Sequence, residues 1–133
     1  MSKEAKLTPA EWEIMEAVWR IGGAPSVREV IDTAFARGER AYTTIQTIMN
    51  ILVKKGMLTQ EKIGLVNFYK PARKRQDMVN AELSHLARRV FRGSIPAMAN
   101  YLINMKNLSR EEIHFLKKAI EEKESSMKDR DDE

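Results

Sequence analysis

RAYTTIQTIMNILVKKGMLTQEKIGLVNFYKPARKR, residues 40–75, changes its hydrophobic period at Gly56 and carries charge almost entirely of one sign. Before Gly56, Ile45, Ile48, Met49, Leu52 and Val53 recur at i, i+3, i+4, i+7 and i+8, the spacing of one buried helix face. This predicts a helix from Tyr42 or Thr43 to Lys55. Gly56 supplies a left-handed stop after two lysines that favour the negative end of the helix dipole. Beyond it the period becomes two: Leu58, Gln60 and Lys62 alternate with Thr59, Glu61 and Ile63. Gly64-Leu65-Val66 then turns, and Asn67-Phe68-Tyr69-Lys70 returns until Pro71 stops the pairing. The same stretch holds eight cations, Arg40, Lys54, Lys55, Lys62, Lys70, Arg73, Lys74 and Arg75, against the single acid Glu61. A basic helix backed by a basic hairpin most commonly serves to neutralise backbone phosphates, because each phosphate paired with a cation releases condensed counterions.

Upstream, Thr8-Pro9-Ala10-Glu11 is a capping box with proline at the first helical position, and Leu7 is placed to staple against Trp12. The helix it opens carries an apolar stripe of Trp12, Ile14, Met15, Val18 and Trp19. Glu11, Glu13, Glu16 and Arg20 are expected outside, Glu16 and Arg20 at a supportive i,i+4 spacing, and Gly22-Gly23 ends the helix. Ser26-Val27-Arg28-Glu29 is a second capping box, followed by Val27, Val30, Ile31, Ala34 and Phe35 at helical spacing and a stop near Gly38. Three short amphipathic helices and a two-stranded ribbon, in that order, give the winged-helix arrangement, in which the third helix and the ribbon approach DNA together. The fold class is therefore mostly α (α+β): an N-terminal winged helix-turn-helix over residues 1–75, then a helical region over 76–133.

That second region predicts a helix with Val79, Leu83, Leu86 and Val90 in one seam, a break at Gly93, a short apolar segment from Ile95 to Ile103, and a last helix. The last helix opens on a third capping box, Ser109-Arg110-Glu111-Glu112, with a Leu108 to Ile113 staple. Its apolar residues are Ile113, Leu116 and Ile120, and the charged tail is expected to fray beyond about Lys123. Helices this short and this narrowly apolar are marginal alone, so a second copy of the chain is the simplest way to complete their core.

Composition bounds the function. With 133 residues, 43% of them hydrophobic and 7% aromatic, the chain fits one or two small, mostly helical domains. The net charge of +4 is asymmetric: residues 1–75 hold 13 basic and 8 acidic side chains, residues 76–133 hold 10 and 11. The absence of cysteine excludes disulfides, thiolate metal sites and thiol nucleophiles, and suits a reducing compartment. No apolar run reaches the roughly 18 to 20 residues that cross a bilayer, and Met1 to Lys6 lacks the core of a signal peptide, so a cytoplasmic protein without membrane insertion is expected. There is no glycine-rich phosphate loop or Gly-x-Ser-x-Gly elbow, and only two histidines are available as bases, so an enzyme is not expected.

On a wheel of 100° per residue, Thr43, Gln46, Thr47, Asn50 and Lys54 share about a third of the third helix's circumference, opposite the buried stripe. Glutamine and asparagine amides pair with adenine N7 and N6 together, and threonine offers a hydroxyl and a methyl, so this polar face suits a major groove.

Leu7-Thr8-Pro9-Ala10-Glu11-Trp12-Glu13-Ile14-Met15 with Val18-Trp19, then Tyr42-Thr43-Thr44-Ile45-Gln46-Thr47, then Leu52-Val53-Lys54-Lys55-Gly56, then Phe68-Tyr69-Lys70-Pro71 together resemble the penicillinase repressor family (BlaI/MecI/CopY), from about Leu7 to Lys123. The resemblance implies a homodimeric winged-helix repressor of transcription on an inverted-repeat operator in double-stranded DNA, with C-terminal helices making the dimer. Base reading is then expected from Thr43, Thr44, Gln46, Thr47 and Asn50, and phosphate binding from Tyr42, Lys54, Lys55, Lys62 and Lys70. Dimerisation is expected from Val79, Leu83, Leu86, Val90, Tyr101, Leu102, Ile113, Leu116 and Ile120.

The chain departs from the family pattern at several places. Ile51 and about Leu65 stand where the family often has arginine, which shifts phosphate anchoring to the lysines. The C-terminal cysteine cluster of the copper-responsive branch is missing, so release by copper is not expected, and no cofactor is implied. In the antibiotic-responsive branch a membrane sensor system triggers cleavage between an Asn and an aromatic residue. Asn100-Tyr101 is similar to that site, although the spacing to Leu108-Ser109 is one residue longer and ordinary helix packing accounts for the pair better.

Two other readings compete. Glu82-Leu83-Ser84-His85 and Glu111-Glu112-Ile113-His114 both have the Glu-x-x-His spacing of di-iron helical bundles, which would make the chain a metal-binding protein. Such a site needs an inward Glu from two further helices in a four-helix frame, which this order of elements does not offer. Alternatively, a winged helix with a basic ribbon serves as an interaction module for an acidic protein.

Overall fold

Two reciprocal caps start the first two helices of the computed structural model, which describes residues 6–131. Thr8 Oγ1 accepts from the Glu11 amide at 3.2 Å while Glu11 Oε1 accepts from the Thr8 amide at 2.9 Å, and Ser26 and Glu29 repeat the exchange at 3.2 and 2.9 Å. Helix α1 (Pro9–Ile21) and helix α2 (Val27–Ala34) follow from them. The latter ends at Ala34, short of the stop expected near Gly38, and Phe35 turns inward as its C-cap.

Helix α3 (Tyr42–Lys54) ends in the reversal that Gly56 was read to supply. With Gly56 at φ +80, its amide donates to the Val53 carbonyl and the Met57 amide to the Leu52 carbonyl, the paired bonds of a Schellman motif. Strands β1 (Leu58–Ile63) and β2 (Val66–Pro71) pair antiparallel with Ile63 opposite Val66 across a two-residue turn. Gly64, first in that turn, has a φ of +65, as a type II′ turn requires. Val66, expected in the turn, belongs to the strand, and Pro71 does not stop the pairing short but lies opposite Leu58 as the last residue in register. The alternation read along residues 58–63 does not sort inside from outside: only Leu58 of β1 is buried, since the ribbon projects from the helices rather than covering them. Its base is fixed where the Tyr69 amide donates to the Pro25 carbonyl at 2.8 Å and Phe68 bridges to Ser26.

Ile14, Met15 and Val18 of α1, Val30 of α2, and Ile45, Met49 and Leu52 of α3 are fully buried together with Tyr69 at the ribbon's base. Each such side chain contributes roughly 1.5–3 kcal/mol relative to exposure. The apolar spacing of the three helices is thus the core of a winged helix, with Trp12 and Trp19 partly buried against it, their ring centroids 6.0 Å apart.

The chain divides into two compact units, Met1–Ser84 and His85–Glu133, so the boundary falls within helix α4 (Arg75–Phe91) rather than at residue 75. Met78 is why: it is buried in the first unit's core and carries the start of α4 with it. The buried residues of α4 are Met78 and Ala87; Val79 and Leu86 are half-buried, and Leu83 and Val90 exposed. Helix α5 (Ile95–Ile103) opens on Ser94, and helix α6 (Arg110–Asp131) on the expected Ser109–Glu112 box. Helix α6 continues past Lys123 to Asp131 over 22 residues. No Gly or Pro interrupts it, Glu124 and Lys128 stand at a favourable i,i+4 spacing, and Lys128 and Arg130 suit its negative end.

Candidate nucleic-acid interface

Three of the eight cations in residues 40–75 are taken by acids of α1. Lys55 Nζ donates to Glu11 Oε1 at 2.7 Å and to the Lys6 carbonyl at 3.1 Å. Arg75 donates twice to Glu16, at 2.8 and 2.9 Å, and Arg40 lies 3.8 Å from Glu13. Glu11, read as outward-facing, is therefore buried, because one carboxylate serves both the α1 cap and a lysine 44 residues away. Glu16 pairs with Arg75 rather than with Arg20. Burial raises the Glu11 pKa, but hydrogen bonds from Lys55 and the Thr8 amide outweigh it and hold the carboxyl below its ordinary 4.5. The Arg75 hydrogen bonds likewise hold Glu16 below 4.5.

Lys55 was expected among the phosphate ligands, and its ammonium is committed to α1 instead. Among the described residues, Lys54, Lys62, Lys70, Arg73 and Lys74 have no ion-pair partner. The free cations are thus fewer than the sequence count implies: Lys54 at the end of α3, Lys62 and Lys70 on the ribbon, and Arg73 and Lys74 beyond it.

On α3, Tyr42, Thr43, Thr44, Thr47, Asn50 and Lys54 are exposed, and Gln46 is half-buried. Asn50 is not a free amide: its Oδ1 accepts from the Tyr69 hydroxyl at 3.0 Å. The Tyr69 ring is fully buried, and burial, with a smaller contribution from Tyr42, raises its pKa, so the hydroxyl stays a donor. The helix face and the ribbon are joined through this bond. Asn50 keeps both amide hydrogens and the second lone pair of its oxygen for a ligand. Lys62 and Lys70 are exposed on the ribbon, whose tip, Leu65, is 94% exposed and flanked by exposed Ile63 and Val66. Ile51 is also exposed, so both positions noted as lacking arginine are open apolar surface.

Residues 7–122 match the family described as Penicillinase repressor. The chain belongs to the penicillinase repressor family. It is 29% identical to the Penicillinase repressor of Bacillus licheniformis over 97% of this chain and 100% of that one, and 23% identical to the Methicillin resistance regulatory protein MecI of Mammaliicoccus sciuri over 92% and 98%. The solution structure of the DNA binding domain of the repressor BlaI is 32% identical and matches with a TM-score of 0.50, covering 58% of this chain and 93% of that domain. The winged-helix reading of the N-terminal unit holds at this level too.

The residues read as a penicillinase-repressor dimer surface are mostly open in the single chain. Leu83, Val90, Tyr101, Leu102, Ile113 and Ile120 are exposed, while Val79, Leu86 and Leu116 are half-buried. Asn100 and Tyr101 lie inside α5, where the Asn100 carbonyl accepts from the Asn104 amide at 3.2 Å and from Asn104 Nδ2 at 2.8 Å. The Tyr101 ring stands 5.4 Å from that of Phe91. Among the described residues no group of three or more His, Cys, Asp or Glu is placed to hold a metal ion, the two Glu-x-x-His motifs included. No helix among them is long and apolar enough to cross a membrane.

Proposed function

We propose that this chain is a transcriptional repressor that binds double-stranded DNA as a homodimer, each copy placing α3 in the major groove of one half of an inverted repeat and laying its ribbon along the adjoining backbone. The observation that carries the reading is charge sorting. The acids of α1 pair with Arg40, Lys55 and Arg75, whereas Lys54 on α3 and Lys62 and Lys70 on the ribbon stay unpaired, and the other exposed polar residues of α3, Thr43, Thr44, Thr47 and Asn50, are uncharged. Uncharged side chains to read bases and free cations to meet phosphates separate base choice from backbone attraction. The second copy joins through the exposed apolar residues of α4, α5 and α6. Release follows cleavage at Asn100-Tyr101 after a membrane sensor system is triggered. A protease takes its substrate extended, so the cut requires α5 to unwind and the Asn104 bonds to Asn100 to break.

Selection of the purified protein on a random duplex pool, followed by binding titrations on the winning sequence, tests this. An inverted repeat should emerge, with half-sites about one turn apart. Gln46→Ala or Asn50→Ala should cost about 1–3 kcal/mol on that sequence and little on random DNA. Lys62→Ala should weaken every duplex alike and flatten the salt dependence. A monomeric protein that binds the repeat no tighter than random DNA at matched salt would exclude the reading.

A further inference from the structure

Between the start of α2, the start of α3 and the ribbon turn lies a cleft of about 330 Å³, walled by Arg28, Tyr42, Gln46, Leu65, Val66 and Asn67. It holds one cation, two side-chain amides and a phenol, and no acid lines it. The Arg28 guanidinium carbon sits 5.3 Å from the centroid of the Tyr42 ring, so the long side chain is braced over an aromatic face. Among the described residues no carboxylate lies within ion-pair distance of Arg28. Its carbonyl-free, fork-shaped donor set suits a phosphate.

We infer that this cleft seats a backbone phosphate of bound DNA and that Arg28 is its principal ligand, held ready by Tyr42. The inference rests on the DNA-binding reading above and adds a contact that the cation count over residues 40–75 does not contain. Location selects the duplex as the source of the phosphate. Gln46 belongs to the helix face proposed to read bases, and Asn67 to the ribbon proposed to lie on the backbone, so a duplex engaging both runs its sugar-phosphate strand across the mouth of the cleft. Tyr42 has two parts to play: its ring fixes Arg28 and its hydroxyl is a second donor. An arginine already braced loses less freedom when it binds.

Binding titrations on the selected duplex and on random DNA, over a range of salt, test the assignment. Arg28→Ala should weaken both duplexes by roughly tenfold at physiological salt, as for a lost hydrogen bond to a charged group, and lower the log-log salt slope by about 0.9 per copy. Arg28→Lys should keep the slope and lose part of the affinity. Tyr42→Leu should weaken binding when Arg28 is present and much less in the Arg28→Ala background, whereas Tyr42→Phe keeps the coupling. A single neutral methylphosphonate linkage walked along the half-site should find one position that hurts the wild type and leaves Arg28→Ala unaffected. Arg28 is exposed, and circular dichroism of each variant confirms that the fold is kept. If Arg28→Ala binds like the wild type with an unchanged slope while Lys62→Ala loses both, the phosphate seat is wrong and the DNA-binding reading stands. If neither changes anything because no duplex is bound, both fall.

Discussion

Lys54 and Lys55 are neighbours in sequence with opposite employments, and replacing each by methionine separates them. Lys55→Met removes the ammonium and keeps most of the stem. It leaves Glu11, whose side chain is 6% exposed, without the partner at 2.7 Å, while the Thr8 amide remains on the same oxygen. Breaking a fully buried pair costs about 3–5 kcal/mol. Because the Lys55 side chain is 28% exposed and one hydrogen bond to Glu11 survives, the range for a single hydrogen bond to a charged group, about 1.5–3 kcal/mol, is the better scale. For a unit of this size each kcal/mol moves the midpoint by about 4–8 °C, so 2 kcal/mol lowers it by roughly 8–16 °C. Calorimetry should show that loss for Lys55→Met and almost none for Lys54→Met, which is exposed. Salt-dependent DNA binding should show the reverse, Lys54→Met lowering the log-log slope by about 0.9 per copy and Lys55→Met leaving it unchanged. A Lys55→Met protein as stable as the wild type but with a flattened slope would mean that Lys55 reaches phosphate and that the Glu11 pairing is not its role.

Acid should expose the Lys55–Glu11 and Arg75–Glu16 pairs: Glu11 and Glu16 are both held below their ordinary 4.5, so the stability they add is fully present above that pH and disappears as pH falls through their lower folded values. Melting temperature measured against pH should be flat from neutrality to about 5 and fall below 4.5, with a shallower fall in Glu11→Gln, and an identical fall in that variant would remove Glu11 as the cause. Tyr69→Phe deletes the donor to Asn50 Oδ1 without changing the buried ring; it should cost about 1 kcal/mol of stability and, on the proposed base-reading role of Asn50, alter preference at one operator position. Unchanged preference across a panel of single-base substitutions would show that the bond does not aim the amide.

What was readable in the sequence was local. The boxes at Thr8, Ser26 and Ser109, the helical spacing from Ile45 to Val53 and the stop at Gly56 each span a few residues, and all appear as read. What was not readable depends on how distant elements dock. The carboxylate of Glu11 looked like a solvent-facing cap because its lysine is 44 residues on, and Glu16 looked like an i,i+4 partner because Arg75 is 59 residues on. Asn50 looked like a free amide for the same reason, its tyrosine coming from the ribbon 19 residues later. The free cations are therefore fewer than the basic residues, and Arg28 lies outside the basic stretch, in a capping box, where its place over the Tyr42 ring has no local signature.

Both tryptophans of the chain sit on α1, 6.0 Å apart, with Trp19 Nε1 donating to the Arg73 carbonyl at 3.0 Å. Intrinsic indole emission therefore monitors only Met1–Ser84 and is blind to His85–Glu133. The second unit contains only one ultraviolet fluorophore of note, Tyr101, so excitation at the red edge of the absorption band isolates the first unit optically without any label.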